Sequence, residues 1–153
     1  MTNDWTDSWT RVSEQIRQAE ASAGRPAHAV RLLAVSKTFP VQAVLELAEA
    51  TGQRDFGENY VQEGLDKIAA TRGHALAQDL VWHCIGPLQS NKTRAVAEHF
   101  HWVHSVDRLR IAQRLSRKTS SVEACCVFDH DHQTSPHRFG HRRCLARPTR
   151  VRT

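Results

Sequence analysis

The sequence lacks long hydrophobic runs. Nowhere in its 153 residues do apolar side chains continue for the roughly 18 positions that a membrane-spanning helix needs. The first ten residues, MTNDWTDSWT, also lack the basic and apolar regions of a secretory signal. The hydrophobic fraction of 40% and the charged fraction of 24% are those of an ordinary globular protein. We therefore expect no membrane partner and a cytoplasmic location.

Net charge is absent from most of the chain. Lysine and arginine balance aspartate and glutamate over residues 1–116, so the whole net charge of +5 lies in residues 117–153. Three of the four cysteines and four of the ten histidines are also in this last segment. The change in composition predicts two parts, a folded unit over 1–116 and an unrelated tail over 117–153.

Within the first part, short apolar segments alternate with segments of helical periodicity. Strands that alternate with helices of 10–15 residues indicate parallel βαβ units, and apolar strands indicate a sheet covered on both faces. The pattern predicts an α/β fold, a partial (βα) barrel of the TIM type with an N-terminal helix and about four βα units. The predicted strands are 29–36, 54–56, 80–86 and 101–106, and the helices after them are 40–51, 59–71, 90–100 and 107–116, with Ser90 and Asp107 as candidate N-caps.

The tail lacks any apolar period after residue 128. The segment SSVEACCVF is compatible with a fifth strand, but the residues that follow are rich in Arg, His, Pro, Ser and Thr, which is typical of disorder. A reading-frame shift after about residue 116 would explain such an ending. We treat that origin as a hypothesis, which the missing strands encoded in another frame would support.

The composition of the tail suggests two functions, zinc binding and nucleic-acid binding. A zinc site would have to use residues without a C-x-x-C spacing, and adjacent cysteines rarely serve one tetrahedral site, so we predict no metal. The candidate ligands are Cys125, Cys126, His130, His132, His137, His141 and Cys144. The tail has clustered arginines but no interleaved aromatic residues, so nucleic acid is not favoured as a partner.

Four motifs stand at or just after the ends of the predicted strands. They are AVSKT (34–38), DFGENYVQE (55–63), WHCIGPLQSNK (82–92) and VHSVDR (103–108). In this order they resemble the pyridoxal phosphate homeostasis protein family, whose fold is a barrel of the alanine racemase N-terminal type. The resemblance covers residues 8–116 and implies pyridoxal 5′-phosphate as the cofactor, in a protein of vitamin B6 and amino-acid homeostasis.

The resemblance implies that Lys37 holds the cofactor as an imine. Imine formation needs an unprotonated amine, and an apolar wall around a lysine favours its neutral form. The preceding LLAV (32–35) is predicted to supply that wall. The location is also appropriate, because ligand sites in βα barrels lie at the C-terminal ends of the strands. The alternative is an ordinary solvated lysine at a strand end.

Two further residues are implied as cofactor contacts. Asn59 ends the second strand, where an amide would contact the ring or its hydroxyl; the alternative is an N-cap of the next helix. His83 lies in the third strand and would face the ring; the alternative is a core histidine whose hydrogen bonds are satisfied. No residue is predicted to be catalytic.

The family pattern departs from this chain after residue 116. No Gly/Ser-rich phosphate loop or RIG-type segment follows, and four βα units leave open sheet edges that invite self-association. Three functions stay open: a cofactor-binding homeostasis protein that is not an enzyme, a remnant that no longer holds the cofactor, and an amino-acid racemase-like enzyme. The racemase would need acid–base groups from strands that are not visible.

Overall fold

Strands and helices alternate along the part of the chain that the computed structural model describes, which is residues 4–117 and 123–124. Each strand after the first helix is followed by a helix, as the sequence pattern predicts. The elements are α1 (Asp4–Ser22), β1 (Ala34–Val35), α2 (Val41–Thr51), β2 (Asp55–Glu58), α3 (Val61–Thr71), β3 (Val81–Cys84), α4 (Thr93–His99), β4 (Trp102–Val103), α5 (Leu109–Ser116) and β5 (Glu123–Ala124).

The five strands form one parallel sheet in the order β1-β2-β3-β4-β5. Neighbouring strands in the chain are neighbours in the sheet, with registers such as Gly57 opposite His83 and His83 opposite Trp102. β5 lies within the SSVEACCVF segment and pairs in parallel with β4. The predicted fold class, a partial βα barrel, is confirmed.

One face of the sheet, here called the helix face, carries the hydrophobic core. Alternate strand residues point to it and pack against α2 to α5, and each large apolar side chain buried there contributes about 1.5–3 kcal/mol. The large apolar side chains that are fully buried in this core include Phe56, Leu80, Trp82, Val44, Val96, Val103 and Ile111. The opposite face, here called the open face, is less covered. Val35 is exposed there, and Val81 and Trp102 are only half-buried.

Three of the predicted strands are longer than those observed. The segment 29–36 forms ladder contacts only at Ala34–Val35, because its one partner is β2 and the preceding residues are held by side chains instead. The Leu32 carbonyl accepts a hydrogen bond from Gln53 Nε2 at 2.8 Å, and Arg31 pairs with Asp55 at 2.7 Å. The first strand is therefore short, but its position is fixed.

Both predicted N-caps are wrong. α4 begins at Thr93 after Lys92, and α5 begins at Leu109 after Arg108, in each case without a side-chain cap. Ser90 instead offers its carbonyl to Thr93 Oγ1 at 2.9 Å, and the Asp107 carboxylate accepts from Arg108 Nε at 3.2 Å. At both places the chain forms a turn before the helix, so the helix begins later than its polar residues suggest.

α1 is attached to the amino-terminal ends of the strands by two polar contacts. Trp9 Nε1 donates to Gln53 Oε1 at 2.9 Å. The buried Glu20 carboxylate accepts from the backbone N–H groups of His28 (3.1 Å) and Val30 (2.6 Å), which shapes the loop leading into β1. The position of this loop sets where β1 starts.

None of the helices in the described ranges is both long and apolar enough to cross a bilayer. The prediction of a disordered tail falls almost entirely outside the described residues.

Candidate functional site at the C-terminal strand ends

The C-terminal ends of β1 to β4 meet at one edge of the sheet. Hydrogen bonds between strands continue just past the ladder there: Ser36 N–H donates to the Gly57 carbonyl (3.0 Å), and Ile85 N–H donates to the Glu58 carbonyl (3.0 Å). Lys37 and Asn59 come directly after these strand ends. The predicted strand-end motifs are therefore brought to a common edge.

Lys37 is exposed at this edge. Within residues 4–117, its ammonium group forms neither a hydrogen bond nor an ion pair. The expected apolar wall does not enclose it, because Val35 is itself exposed and the side chains of Leu32, Leu33 and Ala34 are only half-buried. The amine is thus accessible to a ligand from the solvent.

The backbone around Lys37 forms a tight turn. Phe39 N–H donates to the Ser36 carbonyl at 3.1 Å, so that Lys37 and Thr38 are the two central residues. Thr38 has a φ of +67°. A positive φ is usual for glycine at the third position of a type II turn, whereas a β-branched residue adopts it at a cost.

Asn59 is half-buried and does not cap α3. The N-cap position of that helix is Tyr60, which has no side-chain cap. The backbone of Asn59 lies against Gly86, where an added Cβ would come within 2.0 Å of the Asn59 carbonyl oxygen. Gly86 therefore permits the close approach of the β2 and β3 ends, and the capping alternative for Asn59 is removed.

His83 belongs to a chain of polar groups on the open face. Its Nε2 lies 3.0 Å from Asp55 Oδ1, and its Nδ1 lies 2.9 Å from His104 Nε2. The ring also stacks on Trp102 at 5.9 Å between centroids and an interplanar angle of 5°. Both ring nitrogens already have protein partners, which favours the alternative of a satisfied core histidine.

The protonation of this chain follows from its partners. Burial lowers the pKa of His83, although the hydrogen bond to Asp55 partly opposes this, and burial also lowers the pKa of His104. A carboxylate only accepts, so neutral His83 donates from Nε2 to Asp55. His83 Nδ1 must then accept from His104 Nε2. The chain has one consistent direction of donation while both histidines are neutral.

A second polar cluster lies on the helix face, and the sequence did not predict it. Lys67 Nζ contacts Glu58 Oε1 at 2.7 Å and Glu63 Oε1 at 2.8 Å. The Lys67 and Glu58 side chains are 8% and 0% exposed. The i,i+4 spacing of Glu63 and Lys67 is visible in the sequence, but such pairs usually lie on a solvated helix face. Nothing local indicates that both point into the protein.

Part of the chain is closely similar in sequence to known proteins. It is 59% identical over 107 residues to the pyridoxal phosphate homeostasis protein of Vibrio cholerae, and 53% identical over 114 residues to that of Escherichia coli K12. These matches cover 70% and 74% of this chain, respectively. The matched part belongs to the pyridoxal phosphate homeostasis protein family. No protein-family model matches the chain.

Solved structures agree with the homeostasis-protein family. PipY of Synechococcus elongatus, solved with pyridoxal phosphate bound, superposes with a TM-score of 0.55 at 46% identity, over 69% of this chain and 47% of PipY. A protein of unknown function from Bifidobacterium adolescentis gives a TM-score of 0.67 at 32% identity, over 76% of this chain and 52% of that one. The chain spans about half the length of the curated relatives it matches: 45% of the V. cholerae protein and 48% of the E. coli protein.

The described residues contain no metal site, and they form a groove away from the C-terminal strand ends. Among the described residues, no group of three or more His, Cys, Asp or Glu side chains is arranged to hold a metal. The candidate zinc ligands of the tail lie outside those residues. A groove of about 460 Å³ runs between α1 and the amino-terminal strand ends, and it includes Trp9, Arg31 and Gln53 but none of the predicted cofactor contacts.

Proposed function

We propose that this chain binds pyridoxal 5′-phosphate at the C-terminal strand ends and serves in vitamin B6 and amino-acid homeostasis in the cytoplasm. The single observation that carries the proposal is the exposed ammonium group of Lys37 after the end of β1, which has no partner among the residues that the structure describes. It stands at the edge where βα barrels bind ligands. The bound cofactor of PipY, a relative at 46% identity, supports the choice of ligand.

In this proposal Lys37 supplies the covalent attachment. Its neutral amine adds to the aldehyde carbon of the cofactor, a C=N bond forms, and the oxygen leaves as water. Asn59 is the second contact, with its amide beside the ring or the ring hydroxyl. His83 is the third predicted contact, and its role is limited to packing against the ring, since Asp55 and His104 already engage both of its nitrogens.

The experiment is an absorbance titration of the purified chain with pyridoxal phosphate, followed by borohydride reduction and peptide mapping. We expect an imine band and a reduced adduct on Lys37, and we expect both to be lost in Lys37→Ala. Lys92→Ala is the control, because Lys92 lies in the third strand-end motif but outside the predicted contacts. An adduct spread over several lysines in the native protein would contradict the proposal.

The second candidate is a remnant that keeps the motifs without the cofactor. The observation that favours it is that both ring nitrogens of His83, a predicted cofactor contact, already have protein partners at 3.0 Å and 2.9 Å. A folded sample with no imine band at millimolar cofactor would favour the remnant.

We further propose that the chain self-associates through its open face and sheet edges. β1 and β5 each have a single neighbour within the described sheet, and Val35 at the β1 edge is 47% exposed. Unpaired strand edges template pairing with another chain. Size-exclusion chromatography with light scattering should give a dimer or larger species, and Val35→Lys should shift it toward monomer. A monomer at all concentrations would contradict this proposal.

A further inference from the structure

The cluster of Lys67, Glu58 and Glu63 on the helix face has no role in the proposed cofactor contacts, yet it is costly to build. Two carboxylates surround a single ammonium group, and Glu58 Oε2 is buried without a hydrogen-bond partner in the described part of the chain. Buried charges contribute little net stability compared with an apolar core of the same volume. A cluster of this kind calls for an explanation other than stability.

The cluster holds the backbone on both sides of Lys37. Lys67 Nζ donates to the Ser36 carbonyl at 2.7 Å, and Glu63 Oε1 accepts from Thr38 N–H at 2.7 Å. Those two groups belong to the peptide bonds immediately before and after Lys37. Ser36 Oγ adds a third bond, donating to Glu58 Oε1 at 2.6 Å. Both peptide groups of one exposed lysine are thus held by side chains of α3.

The turn held in this way is strained. Thr38 has a φ of +67°, and a β-branched residue in the left-handed region costs on the order of 1–3 kcal/mol unless its surroundings impose it. The bond from Thr38 N–H to Glu63 is the contact that acts directly on this residue. Strained residues held by their neighbours are concentrated at functional sites.

We propose that Lys67, Glu58 and Glu63 are positioning residues for Lys37. They hold the Ser36–Phe39 turn in its strained form, so that the Lys37 amine leaves the strand end in one direction. The inference rests on the proposed function of Lys37. It predicts that the attachment of an aldehyde to Lys37 depends on carboxylates that touch neither Lys37 nor the ligand.

The test is a double-mutant cycle between Glu63→Ala and Thr38→Gly. Glycine adopts a positive φ without strain, so it should keep the turn after its tether is removed. We measure the rate of borohydride-trapped attachment of pyridoxal phosphate to Lys37, the hydrogen exchange of the residue-38 amide, and urea unfolding. Glu49→Ala is the matched control, because Glu49 is an exposed helical glutamate that pairs with His74 and lies outside the cluster.

We expect Glu63→Ala to slow attachment about 10-fold and to speed exchange of the residue-38 amide, since small misplacements of a reacting group reduce rates strongly. Adding Thr38→Gly should restore attachment to within about 3-fold of the native rate. Equal attachment rates and equal exchange in Glu63→Ala and the native protein would overturn the inference. So would a slow double mutant, because glycine at position 38 should restore the rate if Glu63 acts by holding this turn.

Failure of the proposed function gives a different result. If pyridoxal phosphate does not attach to Lys37 in the native chain, attachment is measured with acetic anhydride, which reacts with any accessible amine. The same rescue by Thr38→Gly, in acetylation of Lys37 and in amide exchange, would then support the positioning role without the cofactor. Absence of the rescue with this reagent would overturn it.

Discussion

The helix face and the open face of the same sheet each carry a polar cluster, and the two are built from different chemistry. On the helix face, Lys67 and two glutamates form ion pairs and hold the Lys37 turn. On the open face, Asp55, His83 and His104 form a chain of neutral rings ending on a carboxylate. The ion-paired cluster holds the backbone at the site, whereas the histidine chain contains rings whose pKa is lowered by burial.

The largest expected effect comes from removing the buried ammonium group. Lys67→Met leaves the buried Glu58 carboxyl without its ion-pair partner, and such a change costs about 3–5 kcal/mol in the free energy of unfolding. Urea unfolding at pH 7 measures it. Lys37→Met is the matched control, since Lys37 is exposed and its loss should stay within about 0.5 kcal/mol. Equal losses of unfolding free energy in the two variants would contradict the prediction that the buried lysine matters more for stability than the exposed one.

Glycine substitutions compare the packing of the two faces. A Cβ at Gly64 would lie 2.5 Å from Cζ of the buried Phe100 ring, so Gly64→Ala should destabilise by about 1–3 kcal/mol. A Cβ at Gly57 would lie 3.0 Å from Ile85 Cδ1, the far end of a flexible side chain. We expect Gly57→Ala to cost less than Gly64→Ala in thermal or urea unfolding. The reverse order would show that the open face is the more tightly packed one.

The pH dependence of stability should separate the two clusters. The folded-state pKa of His83 and of His104 is lowered by burial from the ordinary 6.5, so the unfolded chain binds more protons below that pH. The free energy of unfolding should therefore fall as the pH decreases from 7 to 5. His83→Gln keeps a donor for Asp55 but does not titrate, and it should reduce the slope by up to about 1.4 kcal/mol per pH unit. Urea unfolding at several pH values measures the slope.

Glu63→Gln serves as the contrasting variant in that experiment. The hydrogen bond from Lys67 lowers the pKa of Glu63 below its ordinary 4.5. The stability that this carboxylate contributes is present above pH 4.5 and is lost as the pH falls through its folded-state pKa. The variant should be less stable than the native protein by a constant amount between pH 7 and 5, so that the two slopes agree there and differ only at lower pH. A changed slope near pH 6 would show that the protonation of the histidines depends on Glu63, so that the two clusters are coupled.

The smallest expected effect concerns the outer end of the histidine chain. Arg31 pairs with Asp55 at 2.7 Å, but its side chain is 66% exposed, so Arg31→Gln should change stability by less than about 1 kcal/mol. The positive charge of Arg31 contributes to the lowered pKa of His83. The variant should therefore raise the pKa of His83 slightly in an NMR titration of its ring protons. An unchanged or lowered pKa of His83 in this variant would mean that the charge of Arg31 has no influence on the histidine chain.

Much of the fold was predictable from local pattern. Apolar segments that alternate with helical periodicity predicted the parallel order, and the SSVEACCVF segment contains β5, as its residues allow. The helix starts at Thr93 and Leu109 were less predictable, because Ser90 and Asp107 bond within turns instead of capping. A capping residue is recognised by its type, but whether it caps depends on the path of the chain before the helix.

The candidate site was also predictable only in part. The order of the motifs predicted that Lys37 and Asn59 follow the first two strands and that His83 lies in the third, and residues at the ends of parallel strands share one edge of the sheet. The exposure of Lys37 and the two partners of His83 were not predictable. Both depend on which side chains from other strands come within about 3 Å, and no local window contains that information.

The sequence by itself determined the alternation of strands and helices, the parallel sheet and the position of a lysine at the end of β1, because these follow from local periodicity and chain order. Only the tertiary structure decided that Ser36, Glu58, Glu63 and Lys67 meet beneath that lysine. They come from the end of β1, from β2 and from one face of α3, and their hydrogen bonds form only when helix and sheet pack together. The physical reason is that burial and charge pairing are properties of the packed layers, not of any one segment.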